Sequence, residues 1–118
     1  MIKISKVKAD LANSKRYLEE NASDMKKGQV SSHKKKIAFL SLIHNYLKSD
    51  PDLKFITSEV SRLAKREKVI YAGYEVWSET PNTKQFKNDK DKLKFYQKEN
   101  GIPKIKTQLK ALRFILNQ

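Results

Sequence analysis

The first candidates for a reaction centre in this 118-residue chain are two histidines and thirteen carboxylates, and there is no cysteine. Lack of thiols removes disulfides, thiolate nucleophiles and the sulfur-rich zinc sites. His33 runs straight into Lys34-Lys35-Lys36, whose charges oppose a bound cation. His44 lies inside the apolar run 37–47, where a hydrogen-bonded core or edge imidazole is the commoner role. A metal-dependent nuclease needs two or three acids converging on Mg²⁺, often with a lysine beside them. Pro51-Asp52 resembles the opening of one such signature, but the later acid-x-Lys on a strand is not where it should be. Glu75 and Glu79 fall one helical turn apart and could share a cation, or equally pair with nearby lysines. Asp89 and Asp91 sit in a lysine-rich stretch and read as solubilising charge. Three glycines form no phosphate-cradling loop, and no serine sits in a nucleophile elbow. The expectation is a protein that binds rather than catalyses, with no metal and no cofactor.

The cations carry more information. The net charge is +13, and the excess is spread: residues 1–50 hold 11 Lys/Arg against 5 Asp/Glu, and residues 51–118 hold 15 against 8. This is not a neutral domain with a basic tail. Three clusters stand out. His33-Lys34-Lys35-Lys36 occupies the opening turns of a helix expected to start at Ser31 or Ser32. Lysines there oppose the helix dipole, and a bound phosphate would reverse the penalty; if the helix starts nearer Ile37, they are loop residues. Arg62, Lys65 and Arg66 lie opposite the apolar face of the next helix. Lys106, Lys110 and Arg113, spaced by four and three, form a stripe roughly a quarter-turn from the apolar face of the last helix. Rings supply a further binding chemistry, since unpaired bases stack on exposed aromatics. Tyr71, Tyr74 and Trp77 are the densest group, and Phe95-Tyr96 sits between Lys94 and Lys98. Rings at helical spacing are nonetheless more often core than platform.

The elements that must position these residues are read from periodicity. Ile4, Val7, Leu11, Leu18, Ala22 and Met25 line a narrow stripe over residues 5–26, suited to a helix at the margin of a bundle or paired with a partner helix. Gly28 is its expected stop. The helix of residues 31–48 is apolar over more than one face and is expected to be the most buried. Asp50-Pro51 reads as a cap followed by proline at the first helical position. Leu53, Ile56, Val60 and Leu63 mark the third buried face. Residues 69–77 are β-branched and aromatic; helix is favoured over a ribbon across 69–84 because a lone strand has nothing to pair with. A helix-turn-helix over 56–77 would need a tight turn at Glu67-Lys68, where there is no glycine. A winged variant would use 69–84 as its ribbon. Residues 80–83 read as a loop, 86–99 as a short charged helix anchored by Leu93 and Tyr96, and 103–116 as a helix buried through Ile105, Leu109, Leu112 and Leu116.

The fold class expected is therefore all-α: a compact bundle of about five helices in one domain, residues 1–118. Hydrophobic residues make up 38% of the chain, somewhat low, but their patterning separates it from disordered sequences. No signal-peptide core and no stretch of ~20 apolar residues is present, so no membrane is expected and the cytoplasm is the default. A polyanion would relieve the charge, which points to nucleic acid as partner, DNA or RNA alike. Lysine far outnumbers arginine, which suits phosphate contact more than base readout. The alternative partner is the acidic face of a larger protein, with this chain as inhibitor, adaptor or complex subunit.

Overall fold

Helical periodicity carries through to three dimensions. The computed structural model describes residues 2–118, and among them there are helices and no strand. The α-helices are α1 (Ile4–Asn21), α2 (Lys27–Leu47), α3 (Leu53–Ala72), α4 (Tyr74–Ser78), α5 (Asp89–Glu99) and α6 (Ile102–Leu116). Short 3₁₀ turns at Ala22–Asp24 and Pro81–Gln85 join α1 to α2 and α4 to α5. No described helix is long and apolar enough to cross a membrane.

The core is built on α6. Ile102, Ile105, Leu109, Ala111, Leu112 and Ile115 are all buried, and α2, α3 and α5 pack around them. The sequence made α2 the most buried helix; instead it buries only Ile43 and Leu47. The reason is geometric. The N-terminal half of α2 runs alongside α1, and from residue 8 to residue 42 nothing is fully buried. The two helices form an arm whose half-buried residues include Leu11, Ser14 and Leu18 on α1 and Val30, His33, Ile37 and Leu40 on α2. A narrow apolar stripe suits such a marginal position, as expected for α1. The whole is a slab of 50 × 43 × 18 Å, about two helices thick.

Several boundaries differ from the expectation, each for a local reason. Gly28 is not a stop: α1 ends earlier, where the Asn21 amide turns back to donate to the Tyr17 carbonyl at 2.8 Å. Gln29 then accepts from the Lys26 N–H at 3.0 Å, a reach-back that starts α2 four residues ahead of Ser31. Asp50-Pro51 is not the cap of α3. Asp50 takes a left-handed conformation with φ 52°, and Asp52 accepts from the Phe55 N–H at 2.8 Å. The carboxylate of Pro51-Asp52 is thus engaged as an N-cap. Leu53, expected in the core, is 57% exposed, while Ile56 and Leu63 are buried. Asn88 caps α5 by accepting from Asp91 N–H at 2.8 Å, so that helix begins at Asp89 rather than Phe86. Asp89 and Asp91 then complement the positive end of the helix dipole.

Residues 69–77 are helical, as favoured. α3 runs unbroken through Glu67-Lys68 to Ala72, which removes both the helix-turn-helix and the ribbon. The chain bends only at Gly73. Here the Tyr96 hydroxyl of α5 donates to the Ile70 carbonyl, and a Cβ on Gly73 would lie 2.9 Å from that hydroxyl. Adding the methyl therefore forces that hydroxyl to shift and strains a part-buried hydrogen bond, worth about 1 kcal/mol. Gly73→Ala is expected to be less destabilising in a Tyr96→Phe background than in the native chain, with a coupling of about 1 kcal/mol in a double-mutant cycle by denaturant unfolding. Strict additivity would show that the close approach has no energetic consequence.

Candidate nucleic-acid interface

Among the described residues a single ion pair forms. Arg62 holds Glu59 in a two-pronged contact on α3, with Nε to Oε1 at 3.0 Å and Nη2 to Oε2 at 2.9 Å. The hydrogen bond from Arg62 holds the Glu59 carboxyl below its ordinary range, and the same contact raises Arg62. A depressed carboxyl adds stability that is present above the ordinary carboxylate range and lost as pH falls through the folded value. At this exposed site that contribution is small. The consequence for function is larger. With 26 Lys/Arg against 13 acids, the fold leaves most of its cations without an internal partner.

Two grooves beside α6 gather these cations. The first is lined by Arg62 and Arg66 of α3 and Lys104 in the first turn of α6, with Leu63, Asn100, Gly101, Ile105 and Gln108 between them. Gly101 has φ 73°, a left-handed turn open to glycine, which redirects the chain from α5 into α6. Lys65, the third member of the sequence cluster, is exposed but does not line this groove. The second groove, of about 570 Å³, has Lys106, Lys110 and Arg113 on α6, with Phe39, Leu109 and Phe114 as its apolar part and Glu67 and Asn117 completing it. Phe39 and Phe114 meet edge to face at 5.7 Å. The Lys110 ammonium stands 5.2 Å from the centre of the Phe39 ring, within cation–π range.

Lys34, Lys35 and Lys36 require a correction. They lie inside α2, well past its start at Lys27, so they do not meet unpaired N–H groups at a helix end, and the helix-end geometry expected for them is not formed. Successive helical residues point about 100° apart, which spreads the three around the arm. Lys36 lines a shallow α1–α2 groove with Asn13, Ser14, Tyr17 and His33, where the Tyr17 and His33 rings lie 5.1 Å apart. Lys35 falls one turn before Phe39 on the same side of α2.

The aromatic group is placed among other rings. Trp77 lies 5.1 Å from Tyr96, 6.0 Å from Phe95 in a stacked arrangement, 6.1 Å from Tyr74 and 6.2 Å from Phe86. Tyr74 packs edge-on to Tyr96 at 5.4 Å, and the Tyr71 hydroxyl accepts from Gln97 at 2.9 Å. Tyr71, Tyr74 and Trp77 are all half-buried and hold α3, α4 and α5 together. Sequence reasoning missed Phe39, Phe114 and Lys104 as groove residues. Phe114 follows Arg113 directly, but Phe39 and Lys104 join the grooves only through helix packing. No group of three His, Asp or Glu residues among the described residues could hold a metal ion. No protein-family model, curated protein or solved structure matches the chain.

Proposed function

We propose that this protein binds nucleic acid without catalysing a reaction, by setting the cations beside α6 against phosphates. The observation that carries the reading is the single ion pair among the described residues of a chain of net charge +13. Uncompensated cations repel one another in the folded state, and a polyanion relieves that repulsion while releasing its own counterions. Arg62, Arg66, Lys104, Lys106, Lys110 and Arg113 are the proposed contacts. All are made to phosphate, so they give affinity without sequence choice. The lack of cysteine suits a reducing compartment, and the cytoplasm is the proposed location.

Fluorescence anisotropy of labelled DNA and RNA, single- and double-stranded, tests this at several salt concentrations. With Arg62 held by Glu59, the five other contacts should give a slope of log affinity against log salt of about −4.5 on duplex DNA and about −3.5 on a single strand. Absence of binding to every probe at low salt would overturn the reading and turn attention to an acidic protein partner. Glu59→Gln supplies a second check. Removing the carboxylate frees Arg62, so the slope should steepen by up to about one unit and affinity should rise. A weakened affinity would show that Glu59 positions Arg62 rather than competing for it.

A further inference from the structure

The Phe39–Phe114 groove combines two chemistries that a phosphate-binding surface does not need together. Its cations suit phosphate, but its apolar part offers nothing to a phosphate: Leu109 is buried, and Phe39 and Phe114 pack against the core with only part of each ring left to the groove. A duplex presents phosphates on a rigid cylinder and keeps its bases stacked inside, so it would leave these rings unmatched. A single strand can swing a base out onto a ring while its phosphates stay on the adjacent cations. The spacing fits that alternation: Lys110 stands over Phe39 at 5.2 Å, and Arg113 directly precedes Phe114 on α6. Two of the three cations thus have a neighbouring ring, and a base stacking on Phe39 would take the ring face that Lys110 now covers as its ammonium turns to a phosphate. Three cations line the groove against one carboxylate, Glu67, so its charge is complementary to such a strand.

We infer that this groove receives an unstacked base of a single-stranded nucleic acid, with Lys106, Lys110 and Arg113 on the flanking phosphates. The inference rests on the phosphate-binding reading and deepens it by naming single strands as the preferred substrate. The test compares a short oligothymidine, an abasic strand of the same length and a duplex by anisotropy at one low salt concentration. Oligothymidine should bind about tenfold more tightly than the abasic strand, the size expected for one base on a ring. Phe39→Leu and Phe114→Leu keep an apolar side chain but remove the ring. Each should shrink that gap without weakening abasic binding. Circular dichroism checks the fold of each variant, and the abasic comparison on the native chain stands whichever variant folds.

Equal affinity for the abasic and thymidine strands would overturn the inference and leave phosphate binding intact. Tighter binding to duplex, or a base-dependent gap that neither ring change alters, would overturn it too. So would displacement of the strand from the native groove by an acidic, leucine-rich helical peptide together with no abasic discrimination. Failure of all three probes to bind would overturn the phosphate reading itself.

Discussion

Changing Lys106, Lys110 and Arg113 together to glutamine should flatten the salt dependence of binding by about three units on duplex DNA and about two on a single strand. If the electrostatic component vanishes near about 1 M salt, affinity at about 50 mM should fall roughly 500-fold on a single strand and roughly 3,000-fold on duplex DNA. The three side chains are exposed, and glutamine keeps a helix propensity close to that of lysine and arginine. The fold should therefore survive, and thermal unfolding of the variant should lie near that of the native chain. A control triplet on the arm, Lys34, Lys35 and Lys36 changed to glutamine, should have a smaller effect, because those residues spread around α2 rather than sharing one groove. Equal losses from both triplets would mean that total charge, not the α6 groove, governs binding.

Leu112→Ala should be among the most damaging single changes to stability. Leu112 is fully buried, at 0% exposure, in the helix that the core surrounds. Removing its branched end forfeits transfer energy and leaves a cavity, a loss of roughly 2–5 kcal/mol. Against a total stability of roughly 5–15 kcal/mol, this should lower the unfolding midpoint by on the order of 10 °C or more. Both grooves use α6, so binding should fail as the variant unfolds, and saturating oligonucleotide should recover part of the lost midpoint. Thermal unfolding with and without oligonucleotide reads both effects. Leu53→Ala is the contrast: with its side chain 57% exposed, it should change stability by less than about 0.5 kcal/mol. A similar cost for the two leucines would contradict the placement of the core on α6.

The same contrast shows what could be read from the chain alone. Helices were legible because apolar residues recur at three and four, and α6 was the clearest case, with Ile105, Leu109 and Leu112 buried as expected and Leu116, also expected there, only half-buried. Its cationic stripe followed from the same period. Relative burial of whole helices was not legible. The apolar residues of α2 are enough to fill a core, but half of that helix lies on the arm, and only packing reveals it. Caps were misread where two plausible residues competed. Asp50 and Asp52 have the same side chain, and Asp52 wins because Asp50 takes the left-handed turn. Ser31 and Ser32 offered better caps than Lys26, yet the chain enters the helix before reaching them, with Gln29 reaching back to the Lys26 N–H. That early start moved Lys34–Lys36 from a helix end to a helix interior. The grooves themselves join residues far apart in sequence, Phe39 to Lys110 and Arg66 to Lys104, and no spacing rule within one helix brings such pairs together.

Lysine acetylation of the free and oligonucleotide-bound protein, read residue by residue by mass spectrometry, separates a located interface from diffuse charge. Lys104, Lys106 and Lys110 should lose reactivity on binding, while Lys8 and Lys15 on the far-reaching α1 arm should keep theirs. Uniform protection of all lysines, or protection confined to the arm, would contradict an interface built on α6.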